Sequence, residues 1–481
     1  MNMYSILRDA AEQWGDSVAV VHNGRAFTYA QLGAAADSLA SELTRSGVCA
    51  GDKVGLMIPS SPEAIVASFA VWRIGGIAVS IPTALKADEV RRLEETVGVD
   101  AFCYAVSSRP SIGVADGVDW ALWEGRTPLR LSLTTVRRAS SGERRRLREI
   151  DAAAIYFSSG TTADAKGVVL SHQSLCDRTK NVSQSPPVDH TDSLLWLHST
   201  ATVGVRVYLC LMRGAKLVLA DVLDAEAVAG MLAEHGITQV YGTPLFYRAM
   251  VAHDQITAKT VSGISRFTNW STSMPTKTAE RFHARFGREI VQGYGLRECG
   301  QVSSNGSEDS TKRGSVGVPC GKYQIRLAPA DVADRETGEL LVRGPGMFDA
   351  YYRPWRLREE VLKDGWFRTG DLARRDSDGY YWIVGRIKDV INVGGVKVFP
   401  REIEEALASH PAVEEAHVYR VAEPRFGEVP HAKVKLREGY PCDERELMRY
   451  VNDRLSVFKS IRRVEFVDAL PKTVTGKLKR H

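Results

Sequence analysis

The feature that most constrains this chain is a strand–helix–strand rhythm that recurs along its first half. The stretch "TYAQLGAAADSLASELTRSG" (28–47) places apolar residues three and four apart and closes on Gly47, which predicts a helix with a glycine C-cap. "DKVGLMIPSS" then reads as a buried strand and "PEAIVASFAVWRIGG" as the next helix. The rhythm returns in "AKLVLAD" (215–221), "AEAVAGMLAEHG" and "ITQVYGTP" (237–244). Strands joined by helices in this way belong to layered α/β sheets that are largely parallel. From about residue 315 the texture changes. "GELLVRGPGMFDAYY", "GWFRTGDLARRD" and "GYYWIVGRIKDVINVGG" are short strands separated by turn residues, which predicts a β-barrel-like subdomain. After "GRIKD" a helix "PREIEEALASH", strands "EEAHVYRVA" and "HAKVKLRE" and a helix "DERELMRYVNDRL" predict a small α+β domain.

At 481 residues the chain is too long for one compact core. Apolar residues at 44% and charged residues at 25% are those of an ordinary globular protein. The 63 basic and 58 acidic residues nearly cancel, which argues against a nucleic-acid partner. The densest basic stretch, "RRASSGERRRLREI" (137–150), reads as a solvated surface segment. Seven dispersed cysteines without a C-x-x-C pair read as reduced thiols, which predicts a cytoplasmic protein rather than a disulfide framework or zinc site. The acidic, amphipathic opening predicts no secretory leader. The most apolar stretch, 67–81, is broken by Arg73 and two glycines, so no membrane span is expected.

One loop stands out chemically. In "YFSSGTTADAKG" (156–167) an apolar strand ends in Ser158, Ser159, Gly160, Thr161 and Thr162, and Lys166 follows. Hydroxyls, backbone N–H groups and an ammonium are all donors, and together they suit a ligand with several anionic oxygens. A Walker loop fails here, because position 165 is alanine and Lys166 is followed by Gly167 rather than a hydroxyl. A Ser/Thr-rich turn without a ligand is the plain alternative.

Further segments decide between these. "QGYGLRE" (292–298), "GELLVRGPG" (338–346), "WFRTGD" (366–371), "GRIKDVINVGGVKVFPREIEE" (385–405) and "PKTVTGK" (471–477) follow the loop in order. Together the six segments resemble the adenylate-forming superfamily of acyl-CoA synthetases, adenylation domains and luciferases, and are closest in character to acyl-CoA synthetases. The resemblance implies a large N-terminal domain (1–387), a small mobile C-terminal domain (388–481) and a hinge near Lys388. It implies ATP/AMP, Mg2+ and coenzyme A as ligands. Lys166 and the hydroxyl loop would cradle phosphates, Glu298 would hold the metal, and Lys477 would bridge the substrate carboxylate and the α-phosphate. Tyr294 would stack on adenine, and Asp371 and Arg386 would take the ribose. His198, Trp270, Ser271, Thr272 and Ser273 would lie near the acyl group. Gly394 and Gly395, lacking side chains, would let a pantetheine arm pass.

The sequence also departs from the family pattern. Ala163 and Ala165 replace a glycine and a proline, "STSMP" (271–275) replaces the usual pocket segment, and "LWLH" (195–198) lacks a proline. Arg297 stands where a small hydroxyl usually precedes the metal glutamate. A guanidinium there would clamp phosphate or hinder the metal. The expected function is an acyl-CoA synthetase that forms an acyl-AMP and transfers the acyl group to coenzyme A. The alternatives are an enzyme specialised for the thioester half-reaction on a supplied acyl-adenylate, one that loads a separate carrier protein, and a non-catalytic nucleotide-binding relic. Neither the acid nor the oligomeric state is legible in the sequence.

Overall fold

The computed structural model describes residues 2–105, 118–121, 130–135, 141–157, 166–183, 187–197, 204–220, 225–269, 273–329 and 336–470. Local chemistry sets the helix boundaries near the N-terminus. Helix Tyr29–Arg45 starts in a capping box: the Thr28 hydroxyl accepts from Gln31 N (3.2 Å), and Thr28 N donates to Gln31 Oε1 (2.9 Å). Helix Pro62–Arg73 is capped by Ser61 and begins with proline, whose missing N–H costs nothing in the first turn. Between them runs the fully buried strand Lys53–Met57, as the apolar run predicts.

Among the described residues two nine-stranded sheets form the layers. The first runs in spatial order Val318–Pro319, Gly300–Asn305, Ile290–Leu296, Arg266–Asn269, Gln239–Gly242, Ser193–Trp196, Lys216–Leu219, Val18–His22 and Arg25–Thr28. Its five central pairings are parallel and its edges antiparallel. The second sheet has the parallel group Ala101–Ala105, Lys53–Met57, Ile77–Ser80 and Ala152–Phe157 at its centre. It continues antiparallel through Gly167–Ser171 to the two-residue strand Ala350–Tyr351.

The main core lies between these sheets, around helix Pro62–Arg73, whose residues are all buried except Arg73. Trp72 at its end is fully buried, and its indole N–H donates to the Ala153 carbonyl at 2.8 Å. Ala153 is the residue skipped where the pairing of Ala152–Phe157 with Gly167–Ser171 shifts register. The bulge frees a carbonyl from the ladder, and the tryptophan answers it.

The predicted barrel-like subdomain is an open antiparallel sheet, in the order Gln324–Pro329, Thr337–Arg343, Phe367–Arg375 and Tyr381–Arg386, with no closing pair among the described residues. The neighbouring short strands Val318–Pro319 and Ala350–Tyr351 pair with the two large sheets instead. Beyond it, residues 391–466 build a further sheet and their own hydrophobic cluster, which includes Ile403, Leu407, Val418, Val434, Leu447 and Val451. This part meets the preceding chain through Arg401 Nη1, which donates to the Ile383 carbonyl (2.7 Å), and through an Arg248–Glu415 ion pair (3.6 Å). Among the described residues no helix is long and apolar enough to cross a membrane.

Trp72 offers a test of the bulge. Trp72→Ala removes a buried indole and should cost about 3–5 kcal/mol of stability. Trp72→Phe keeps most of the bulk but strands the Ala153 carbonyl, and should cost about 1–3 kcal/mol in a urea titration. A Trp72→Phe variant as stable as the wild type would show that the hydrogen bond is not the sensitive element.

Candidate active site

The site residues are presented by two turns and one strand end. Strand Ile290–Leu296 carries Tyr294 and leads directly into the turn bearing Arg297 and Glu298. That turn is braced from below by Arg178, which is 3% exposed on helix His172–Val182. Its guanidinium donates to the carbonyls of Arg297 (2.9 Å), Glu298 (2.7 Å) and Gly346. Phe348 N donates to the same Glu298 carbonyl at 2.6 Å, so the backbone of the turn is held from two sides.

The Glu298 side chain is half-buried, and its Oε1 accepts the Tyr351 hydroxyl at 3.1 Å. Lys166 is exposed, with its ammonium 5.3 Å from the centroid of the Tyr351 ring. The structure therefore gathers Lys166, Tyr351 and Glu298 into one cluster. Arg297 is also half-buried, and burial lowers the pKa of its guanidinium while Tyr156 and Glu298 oppose that. Among the described residues no carboxylate lies within ion-pair distance of it.

A second cluster surrounds Asp371. Antiparallel pairing places Asp371 directly opposite Arg386. Arg386 Nε donates to Asp371 Oδ1 at 2.7 Å, and the Tyr294 hydroxyl donates to Oδ2 at 2.6 Å. Asp371 is 3% exposed, whereas about half of the Arg386 side chain remains open. Burial, followed by the Asp371 charge, pushes the Tyr294 phenol pKa well above its ordinary value, so it remains a donor at neutral pH. Burial opposes the charge of Arg386, but Asp371 and Tyr294 outweigh it and raise its pKa. The turn itself is self-braced: Asp371 N donates to the Thr369 hydroxyl (3.0 Å), and Gly370 N donates to Glu339 Oε1 (3.2 Å).

The remaining candidates lie apart or beyond view. Lys388 is exposed in the 3-10 turn Ile387–Asp389, and Gly394 and Gly395 form the exposed tip of the hairpin Ile391–Val398 with φ of 58° and 92°. Ser273 is exposed next to buried Met274, whose N–H donates to Gln292 Oε1 (2.9 Å). Ser158, Ser159, Gly160, Thr161, Thr162, His198, Trp270, Ser271, Thr272 and Lys477 lie outside the described residues. Sequence reasoning missed Arg178 and Tyr351. Both act across long sequence separations, and only the hydroxyl of "AYY" hinted at a polar role for the latter.

A different group, His410, Cys442 and Glu446, brings three possible ligand atoms within 4.8 Å. His410 Nδ1 accepts the Ala412 N–H (3.2 Å), so the neutral ring carries its proton on Nε2, facing Glu446 at 3.5 Å. Burial and Glu446 push the Cys442 thiol up to about 11. Both ring nitrogens of His410 thus already face partners within the protein.

Residues 7–352 match the model of the AMP-binding enzyme family, and residues 402–477 match the AMP-binding enzyme C-terminal domain. The chain belongs to the AMP-binding enzymes. It is 31% identical over 485 residues to a feruloyl-CoA synthase of an Amycolatopsis species, covering 96% of this chain and 94% of that one. It is 26% identical to a long-chain-fatty-acid–CoA ligase of Bacillus subtilis, over 99% and 93% of the two chains. The crystal structure of ATP-bound MatB from Rhodopseudomonas palustris superposes with a TM-score of 0.84 at 25% identity, covering 100% of this chain and 97% of that one. The adenylate-forming resemblance read from the six motifs is borne out, as is the mixed α/β architecture.

The Asp371 cluster carries a direct stability test. Tyr294→Phe keeps the ring but leaves a buried carboxylate oxygen without its donor, which should lower unfolding free energy by about 1–3 kcal/mol. Chemical denaturation measures this, and an unchanged midpoint would mean that Tyr294 does not support Asp371.

Proposed function

We propose that the chain is an AMP-forming acid–thiol ligase. A carboxylate oxygen attacks the α-phosphorus of ATP, giving acyl-AMP and pyrophosphate; the thiolate of coenzyme A then attacks the acyl carbonyl and AMP leaves. The observation that carries this reading is a pair of carboxylates in opposite settings, inside a match to named CoA ligases that spans nearly the whole chain. Asp371 is buried with both oxygens accepting from neighbouring side chains, as suits an acceptor for ribose hydroxyls. Glu298 is half-buried just beyond strand Ile290–Leu296, on the same Tyr351 side chain whose ring faces Lys166.

Roles follow from chemistry and motif position. Lys166 and the hydroxyls of 158–162 bind the β- and γ-phosphates, Tyr294 lies against adenine, and Asp371 with Arg386 takes the ribose. Lys477 bridges the attacking carboxylate and the α-phosphate. His198, Trp270 and 271–273 border the acyl group, and Gly394 and Gly395 line the approach of the thiol arm. Coenzyme A is the favoured acceptor over a separate carrier protein, and the cytoplasm the favoured location. The division at Lys388 is supported by the separate hydrophobic cluster of residues 391–464 and by the exposure of the 387–388 turn. Glu298 also fits Mg2+: one oxygen is oriented by Tyr351, and no described cation lies within ion-pair distance. A bound Mg2+ would neutralise charge on the phosphate oxygens, sharing this carboxylate with waters and substrate.

Arg297 favours a narrower second reading, in which the enzyme mainly performs the thioester half-reaction on a supplied acyl-adenylate. A half-buried guanidinium on the residue before Glu298, felt electrostatically by that carboxylate though not paired with it, would oppose a divalent cation there.

Pyrophosphate exchange over a panel of aliphatic, aromatic and polycyclic acids, followed by thioester detection with coenzyme A, tests the main reading. No exchange and no thioester with any acid or acyl-adenylate would overturn it. Lys477→Ala should reduce adenylation by roughly 10²–10³-fold while sparing thioester formation from supplied acyl-adenylate. Equal loss of both half-reactions in a folded variant removes Lys477 from the first step. Arg297→Thr separates the two readings by sign. Exchange that is weak in the wild type and rises on substitution supports the narrower one. Robust exchange that falls shows a guanidinium gripping phosphate.

A further inference from the structure

Tyr351 is placed by backbone geometry rather than by its own chemistry. Strand Ala350–Tyr351 pairs antiparallel with Gly167–Ser171, setting Tyr351 opposite Val168, and Tyr352 N donates to the Gly167 carbonyl at 2.7 Å. The approach is close: a Cβ on Gly167 would lie 2.9 Å from Tyr352 Cβ and 3.1 Å from Ile155 Cγ2. The residue that follows Lys166 therefore has to be glycine for this strand to dock. The other face of the strand is anchored in the interior. Lys53, fully buried, donates to the Tyr352 hydroxyl (2.6 Å) and to the Val97 carbonyl (2.6 Å), and Glu143 Oε1 lies 2.6 Å from the same hydroxyl.

With its backbone fixed in this way, the Tyr351 ring stands between two candidate phosphate-site groups. The Lys166 ammonium lies 5.3 Å from the ring centroid, within the range of a cation–π contact. The hydroxyl donates to Glu298 Oε1 (3.1 Å), while Phe348 packs on the ring at 4.8 Å and holds the Glu298 carbonyl through its own N–H.

We infer that Tyr351 is a positioning residue, which orients the Glu298 carboxylate toward a divalent cation and holds the Lys166 ammonium over its ring until phosphate arrives. This rests on the reading of Glu298 as the metal carboxylate. One side chain thus does two separable things: the hydroxyl sets the carboxylate, and the ring face holds the lysine. Tyr351→Phe removes only the first, and Tyr351→Leu removes both.

The test uses the full-length protein with Mn2+ as the probe, its binding in the presence of ATP followed by electron paramagnetic resonance. AMP binding without metal is measured by calorimetry alongside. Tyr351→Phe should weaken Mn2+ in the ternary complex by about tenfold or more, the range for a hydrogen bond to a charged group, with AMP affinity unchanged. Tyr351→Leu should in addition weaken metal-free ATP, which Tyr351→Phe should not. A thermal melt of each variant reports folding, and the AMP measurement on the same sample shows that the nucleotide site survives. If the wild type binds Mn2+ with ATP and Tyr351→Phe binds it equally well, the inference is overturned and the reading of Glu298 stands. If the wild type holds ATP but no Mn2+, the reading of Glu298 falls and the inference falls with it. Parallel losses of AMP and Mn2+ affinity would show a structural role only and also overturn it.

Discussion

A single buried guanidinium ties the candidate site together. Arg178 sits on the helix that follows strand Gly167–Ser171, and its donors reach the carbonyls of Arg297, Glu298 and Gly346. Burying a charge without a carboxylate is costly, and it is tolerated here because aligned carbonyl dipoles take its place. Those three carbonyls belong to two turns far apart in sequence. If they separated, the guanidinium would lose its donors' targets and both turns would lose their alignment. Gly346 makes the approach feasible, since a Cβ there would lie 2.7 Å from Arg178 Cγ. Glu298 and the Ala350–Tyr351 strand are held in register with each other by this one side chain, with Phe348 N as its second tie.

The layered scaffold explains why the site forms at this edge. The parallel centres of the two large sheets are covered by helices, and the main core between them is dominated by apolar side chains. Polar chemistry collects where that order ends, at the strands where parallel pairing gives way to antiparallel and the turns after them. Strand Ile290–Leu296 is such a place, parallel to its neighbour on one side and antiparallel on the other. Tyr294 lies where the antiparallel register shifts, and its hydroxyl is delivered to Asp371 on a different sheet.

What the sequence disclosed follows the range of the interactions involved. The helices Tyr29–Arg45 and Pro62–Arg73 are governed by local signals, a Thr28/Gln31 capping box and a Ser61–Pro62 start, and the apolar spacing of each is visible in its own residues. The strand-rich stretch after residue 315 was equally legible as strands, but not in its pairing. Whether strands close on themselves or split among sheets depends on partners far away in sequence, as Ala350–Tyr351 on Gly167–Ser171 demonstrates. Asp371 and Arg386 were legible as motif residues, but their mutual ion pair comes from strand register. Arg178 and Tyr351 were not legible, because a lone arginine in a helix and a tyrosine in a short strand have many ordinary explanations until their partners are known.

The two carboxylates show how burial sorts identical chemistry into different tasks. Asp371 has both oxygens engaged, one by a phenol and one by a guanidinium, in a setting from which water is nearly excluded. Such a carboxylate accepts hydrogen bonds in fixed directions, and it can exchange one donor for another without moving. Glu298 has one oxygen set by Tyr351, is half-open to solvent, and has no described cation within ion-pair distance. A hard divalent cation that retains part of its water shell needs that openness, and it would be poorly served by the saturated environment of Asp371. The difference lies in surroundings rather than residue type: a register-matched arginine and a tyrosine hydroxyl at one carboxylate, and a half-open turn near an exposed lysine at the other.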